Sequence, residues 1–201
     1  MTDFRQELIN SVNKFCKDRI EPFMEEDDAE GKFRKEIFNE MGQLGLTGMT
    51  LPEQYGGAGL GYEDFCAVLE EIAKSSVPYA VTVSVSTMVQ GMISNFGTEE
   101  QKQKYVPKLA SGKMLGAFGL TEPDAGSDAG ATKTTAEKNG DGYIVNGGKI
   151  FITNAGVAGI LSFTTQIVEN GENKGIGAFV VPTGIDGLTI GPPEKKMGWK
   201  A

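Results

Sequence analysis

The apolar residues of this chain change their period at Gly112, so no single kind of regular element accommodates both halves. Before it they recur every three or four residues, the spacing that lines side chains along one face of a helix. Phe4, Leu8, Val12, Phe15 and Ile20 make the first stripe. Glu21-Pro22 then disfavours helix, because the residue before a proline is pushed out of the α region, and the first helix is expected to end near residue 20. Phe33, Ile37, Met41 and Leu44 form a second stripe, stopped by Gly45, and Tyr62, Phe65, Cys66, Leu69, Ile72 and Ala73 form a third. The run from Pro78 through Val81, Val85, Met88, Val89 and Met92 is rich in Val, Thr and Ser. β-Branched residues lower helix propensity, so this run reads as a buried helix packed on all sides, with a strand as the alternative. Thr98-Glu99-Glu100-Gln101 is a capping-box pattern with acidic residues in the first turn, and Gly112 stands where that fifth helix should end after Lys108.

After Gly112 the spacing becomes that of strands. Short runs rich in Val, Ile, Thr and Phe cover residues 114–121, 143–153, 160–168 and 176–181. Asn139-Gly140, Asn146-Gly147, Asn170-Gly171 and Asn173-Lys174-Gly175 separate them as turn or hairpin signals. The expected fold class is therefore α+β: a helical domain over residues 1–112 followed by an antiparallel β sandwich or barrel over residues 113–201, with the boundary near 111–114.

Composition narrows the chemistry. A chain of 201 residues, 39% hydrophobic and 23% charged, can bury a real core. Its formal charge of −8 leaves no basic stripe for phosphates, so nucleic-acid binding is not expected. No run approaches the apolar length of a membrane span, and Met1-Thr2-Asp3-Phe4-Arg5 is polar where a signal peptide is apolar, which makes the cytoplasm the default location. There is no histidine, which excludes histidine-based triads and His-ligated zinc. Cys16 and Cys66 lie far apart and offer neither a disulfide framework nor zinc spacing, and both read as reduced, partly buried thiols; no metal site is expected.

Several patterns dissolve on inspection. Gly56-Gly57-Ala58-Gly59-Leu60-Gly61 lacks the spacing of a dinucleotide fingerprint and has no βαβ unit around it, so it reads as a loop between helices. Glu25-Glu26-Asp27-Asp28 reads as a solvated connector. Ser127, in Gly126-Ser127-Asp128, has neither the nucleophile-elbow context nor a histidine base, and reads as a hydrogen-bonding serine. Asp124 and Asp128 read as Asx-type turn stabilisers.

Two segments remain. Residues 116–128, GAFGLTEPDAGSD, begin as an apolar strand and break into a loop of small and acceptor residues, where main-chain amides and hydroxyls can approach a ligand with little steric cost. Residues 149–156, KIFITNAG, alternate Ile150 and Ile152 with Phe151 and Thr153. A strand here would present an aromatic and a hydroxyl to one face, which suits a flat heteroaromatic ring.

These two segments resemble the flavin-contacting segments of the acyl-CoA dehydrogenase family. Three further landmarks occur in the family's order: LPEQYGGAG at 51–59, FGTEEQK at 96–102 and KMGW at 196–199. The resemblance implies an FAD-dependent enzyme that takes the α-proton of an acyl-CoA thioester while the β-hydrogen leaves as hydride to flavin N5, giving a trans-2-enoyl-CoA. It implies electron-transferring flavoprotein as the partner, a homo-oligomeric full-length protein, a place in fatty acid metabolism, and closest wording to short-chain, butyryl-CoA-like members. By resemblance Phe118, Gly119, Leu120 and Thr121 line the flavin, Gly126 and Ser127 complete the loop, and Ser127 also touches the pantetheine or phosphate part of the CoA ester. Phe151 stands where the family carries an aromatic against the ring, with Ile152 beside it, and Thr153 would hydrogen-bond flavin N5. The family's catalytic glutamate lies in a C-terminal helical bundle that this sequence does not include, so no catalytic residue is assigned and the 201 residues alone are expected to be inactive. Acyl-CoA oxidases and flavin monooxygenases of the same fold are the alternative, as is a noncatalytic module that binds flavin or a CoA ester.

Overall fold

A computed structural model describes residues 3–200. The chain divides into two compact units. One comprises the residues up to Leu115 together with the segment beginning at Pro193; the other is Gly116–Pro192.

The first unit is helical: α1 (Asp3–Phe15), α2 (Met24–Glu30), α3 (Lys35–Gln43), α4 (Tyr62–Ser75), α5 (Val77–Phe96) and α6 (Glu99–Ala110). Of the stripes read from the sequence, Val12, Ile20, Ile37, Met41, Phe65, Ile72 and Val89 are buried in its core beside Phe38, Val68, Val83, Ile93 and Leu109, whereas Phe4, Leu44 and Tyr62 of the same stripes are exposed. The first helix does not stop sharply at Glu21-Pro22. It widens into a π turn over Cys16–Ile20 and tightens into a 3-10 turn over Glu21–Phe23, which takes Pro22 at a position where no helical N–H is needed. Helical structure then resumes, so the charge run expected to be a solvated connector is instead α2. Asp27 within it is 1% exposed and accepts from Arg34 Nε at 2.8 Å.

The Val-rich run is a helix and not a strand. Ser76 caps it by accepting from the Tyr79 amide, and Pro78 sits in its first turn. It is not packed on every side, since Met88 and Phe96 are exposed among the described residues. The capping box at Thr98 is present with both of its reciprocal bonds, and Gly112 follows α6 in the left-handed conformation. Cys16 is buried as expected, but Cys66 faces solvent. No helix is long and apolar enough to cross a membrane among the described residues.

The second unit carries one five-stranded sheet: β1 (Gly116–Gly119), β2 (Thr135–Asn139), β3 (Gly142–Asn146), β4 (Ile160–Glu169) and β5 (Glu172–Pro182). β4 is its spine. Along one edge β4 pairs with β1 through residues 160–163 and with β2 through residues 166–168; along the other it pairs with β5. The pairings of β4 with β1 and β2 are parallel, while β2 with β3 and β4 with β5 are antiparallel, so the sheet is mixed where an antiparallel sandwich or barrel was expected. The parallel pairs arise because residues 120–134 carry the chain from β1 to β2 in the same sense and residues 147–159 bring it from β3 to β4 in that sense again, which no short hairpin could achieve.

Asn170-Gly171 forms the two-residue β4–β5 hairpin, both residues at positive φ as such a turn requires. Asn173-Lys174-Gly175, expected as a turn, is a bulge inside β5. The Asn173 side chain accepts from the Gly175 amide at 2.7 Å, and the register shifts opposite Gln166 and Val168. The expected strand over 143–153 ends at Asn146, for reasons that bear directly on the site.

Candidate functional site

The two chemistry-bearing segments lie side by side within the sheet unit. The Ile150 amide donates to the Thr121 carbonyl at 2.9 Å, Lys149 Nζ donates to the Leu120 carbonyl at 3.1 Å, and Asn154 Nδ2 donates to the Gly116 carbonyl at 3.1 Å. The second segment thus follows β1 and its exit without joining the sheet. Gly119 lies tight beneath it, because a Cβ there would stand 3.1 Å from both Lys149 Cγ and Phe163 Cβ.

Residues 150–153 are not a strand, and Phe151 and Thr153 do not share a pleated face. Gly147 has φ +146, Phe151 φ +58 and Asn154 φ +69, three left-handed residues that break any extended run. The Ala155 amide closes a turn on the Ile152 carbonyl at 3.2 Å, and the Val157 and Ala158 amides close on the Asn154 carbonyl. The aromatic and the hydroxyl are nevertheless presented outward by this turn. Phe151 is 71% exposed, and Thr153 is exposed beside a half-buried Ile152.

On the first segment, Phe118, Leu120 and Thr121 are half-buried and Gly119 is buried, while Gly126 and Ser127 lie exposed on the loop. A tight turn separates them: Ala125 donates to the Glu122 carbonyl at 3.2 Å, and Glu122 donates to the Ala125 carbonyl at 2.9 Å, with Pro123 setting the bend. Asp124 pairs with Lys133 Nζ at 2.9 Å and does not act as an Asx turn. The hydroxyls of Thr121, Ser127 and Thr153 have no hydrogen-bond partner among the described residues.

The two segments share a buried ion pair that sequence reasoning missed. The Glu122 carboxylate and the Lys149 ammonium are 2.7 Å apart, with side-chain exposures of 5% and 8%. Glu122 also accepts from the Thr132 hydroxyl, the Lys133 amide at 2.7 Å and the Thr134 amide at 3.1 Å. Burial alone would push this carboxyl upward, but the hydrogen bonds from Lys149, Thr132, Thr134 and the Lys133 amide outweigh it and hold the group far below the ordinary carboxylate range. Glu122 is therefore an anchored anion with its acceptor sites occupied, unsuited to moving a proton. No local pattern announces it, since the partners are separated by 27 residues.

A planar, heteroatom-rich ring system fits what the two segments offer: an exposed aromatic face, two threonine hydroxyls without partners, and a loop at Gly126 where even a Cβ would meet nothing within 4 Å. Among the described residues no cluster of His, Cys, Asp and Glu could hold a metal ion.

Comparison with known proteins identifies the family of both units. Residues 2–113 match the acyl-CoA dehydrogenase N-terminal domain, and residues 117–201 match the acyl-CoA dehydrogenase middle domain. An acyl-CoA dehydrogenase of Bacillus subtilis is 44% identical over 93% of this chain and 50% of its own length. The structure of butyryl-CoA dehydrogenase from Megasphaera elsdenii is similar with a TM-score of 0.91 at 39% identity, covering 100% of this chain and 54% of that one. A glutaryl-CoA dehydrogenase from Mycobacterium smegmatis in complex with FADH2 is similar with a TM-score of 0.94 at 31% identity, covering 100% of this chain and 51% of that one. The chain spans about half the length of the curated relatives it matches.

Proposed function

We propose, from the premise that this chain belongs to the acyl-CoA dehydrogenase family, that it supplies the flavin seat of an FAD-dependent enzyme that dehydrogenates an acyl-CoA thioester between its α and β carbons. The observation that carries the reading is the pair of threonine hydroxyls, Thr121 and Thr153, left without partners on two segments that the Thr121–Ile150 bond fastens together. Exposed hydroxyls on a mobile surface would be unremarked; these are held in fixed relation next to an exposed aromatic, which is how a ring with polar edges is recognised.

In this reading FAD, when bound, supplies the acceptor for the β-hydrogen that leaves as hydride. The chain's own residues orient and enclose. Phe118, Gly119, Leu120 and Thr121 form one wall, with the Thr121 hydroxyl toward the pyrimidine edge. Phe151 and Ile152 form the other, and Thr153 donates toward N5. Gly126 and Ser127 close the loop, and Ser127 meets the pantetheine or phosphate part of the CoA ester. Residues 1–112 act as the helical scaffold and residues 113–201 as the flavin-bearing domain. Glu122 is not the base, because its carboxylate is buried and saturated with donors. The family likeness extends the proposal to a short acyl chain, to electron-transferring flavoprotein as the electron acceptor, and to a homo-oligomeric, cytoplasmic full-length protein of fatty acid metabolism.

Anaerobic addition of butyryl-CoA to the FAD-loaded full-length protein tests the reading. Bleaching of the flavin absorbance with appearance of crotonyl-CoA is expected. A full-length protein that takes up no FAD, or whose flavin stays oxidised with acyl-CoA esters of every chain length, would overturn it.

A further inference from the structure

We propose that the buried Lys149–Glu122 pair is a positioning device for the flavin seat, holding the exit of β1 and the segment of residues 149–154 in the arrangement that receives the cofactor. The inference rests on the reading of residues 118–127 and 151–153 as that seat. Neither member of the pair lines the seat; both sit behind it.

Lys149 Nζ reaches acceptors on four separate stretches of chain. It donates to the Leu120 carbonyl at 3.1 Å, Glu122 Oε1 at 2.7 Å, Thr132 Oγ1 at 3.0 Å and Thr164 Oγ1 at 3.4 Å. Those acceptors belong to the exit of β1, the tight turn, the return loop and β4. Glu122 in turn collects the Thr132 hydroxyl and the amides of Lys133 and Thr134. One side chain of the second segment thereby grips the backbone of the first, one residue before Thr121, while the next residue, Ile150, grips Thr121 itself.

Such a pair is a poor source of net stability. Taking both charges out of water offsets their attraction, and apolar replacements of similar volume are commonly neutral or better. What an apolar pair could not reproduce is direction. An ammonium shares its three N–H donors among these four fixed acceptors, whereas a methyl group in the same volume would leave the Leu120 carbonyl and the Lys149 backbone free to drift. A binding site whose supporting shell drifts loses affinity without losing its fold. The pair is neutral as a unit, so its effect on the cofactor should be one of geometry and not of net charge.

The test compares the full-length protein with Lys149→Met/Glu122→Gln, which removes both charges together and leaves an acceptor for the Lys133 and Thr134 amides. FAD affinity is measured by fluorescence titration, the bound flavin's visible spectrum is recorded, and thermal unfolding of the apoprotein is followed in parallel. We expect the double variant to unfold within a few degrees of the parent, to bind FAD at least tenfold more weakly, and to lose vibronic resolution in the flavin band. A purely structural pair would shift unfolding and leave the spectrum alone. A folded double variant whose FAD affinity lies within threefold of the parent, with an unchanged spectrum, overturns the positioning role. If the double variant does not fold, Thr132→Val decides. That change deletes one arm of the network and keeps both charges, and an altered flavin spectrum with weaker FAD binding supports the role while unchanged binding and spectrum overturn it. A parent protein that binds no FAD refutes the seat itself, and the positioning role with it, an outcome distinct from both.

Discussion

The Ile150 amide donates to the Thr121 carbonyl over 2.9 Å, and this one backbone bond sets two threonine hydroxyls on neighbouring segments in fixed relation to each other. Neither the Thr121 nor the Thr153 hydroxyl is used by the fold, so each can be removed with little structural consequence.

Thr153→Ala should leave stability within about 0.5 kcal/mol, the usual range for an exposed position. In the FAD-loaded full-length protein it should lower the flavin reduction potential, because a donor to N5 favours the reduced ring; a loss of about 1 to 2 kcal/mol matches one hydrogen bond of this kind. Redox titration of both proteins reads the difference. Equal potentials at equal flavin content would remove Thr153 from the seat.

Phe151 holds a left-handed backbone at φ +58 with its ring exposed. That conformation costs a residue with a Cβ about 1 to 2 kcal/mol, while glycine adopts it freely but loses about 0.5 to 1 kcal/mol more chain entropy on folding. Phe151→Gly should therefore stabilise the apoprotein by about 0.5 to 1 kcal/mol and weaken FAD binding several-fold through the lost aromatic face. Thermal unfolding and flavin titration are read together. A variant that is less stable than the parent would show that the ring packs against the protein instead of serving a ligand.

How the sequence and the fold relate is clearest at these same positions. Capping at Thr98, the proline in the first turn of α5 and the Asn170-Gly171 hairpin are local decisions, made by a few adjacent residues, and each was legible. The alternation of Ile150, Phe151, Ile152 and Thr153 has the same appearance as a strand, but alternation reports only what a strand would do if neighbours paired with it. Here β1 already pairs with β4, and the segment is held instead by the side chains of Lys149 and Asn154 and a single amide bond. β2 escaped notice for the opposite reason: Thr135-Ala136-Glu137-Lys138-Asn139 is polar, with only Ala136 buried, and it is a strand because β3 and β4 flank it. The aromatic, the hydroxyls and the loop stood out as a candidate site through the resemblance of their two segments to a family's motifs, because an aromatic such as Phe151 taken alone is more often a core residue. The ion pair behind them was not, since each partner in isolation is an ordinary surface residue.

Gly147 combines φ +146 with a close approach: a Cβ on it would stand 2.7 Å from Thr134 Cα. Thr134 donates its amide to Glu122, so the collision would fall on the network around the buried Glu122–Lys149 pair. Gly147→Ala should destabilise the sheet unit by about 2 to 4 kcal/mol, from overpacking and backbone strain together. Chemical denaturation checks this. Near-equal midpoints for parent and variant would mean that the turn after β3 relaxes at little cost.

The depressed Glu122 carboxyl predicts an acid-side loss of stability. Its folded state holds the proton less readily than the unfolded chain does, so the group contributes fully above the ordinary carboxylate range, and the contribution falls as the pH drops below about 4 to 5 toward the depressed folded value. Between pH 7 and pH 3 the parent should therefore lose more stability than Glu122→Gln, which has no proton to take up at this position. Unfolding midpoints across that interval give the two slopes. Parallel slopes would show that Glu122 takes up its proton equally readily in the folded and unfolded chain, and that the network does not hold the carboxyl down.

Ser127 is exposed, its hydroxyl has no partner among the described residues, and the chain contains no histidine to act as its base. Glu122, the buried carboxylate of the same loop, already accepts from Lys149, Thr132, Lys133 and Thr134. A serine without a histidine base and without a nucleophile-elbow context is suited to donating or accepting a hydrogen bond, so covalent chemistry through it is not expected. Ser127→Ala in the full-length protein should weaken CoA-ester binding by about 0.5 to 1.5 kcal/mol, roughly two- to tenfold, and leave turnover at saturating ester largely intact. Steady-state kinetics separates the two effects, since a positioning contact moves KM and a nucleophile would abolish kcat. Detection of an acyl group on Ser127 by mass spectrometry after quenching during turnover would overturn this assignment.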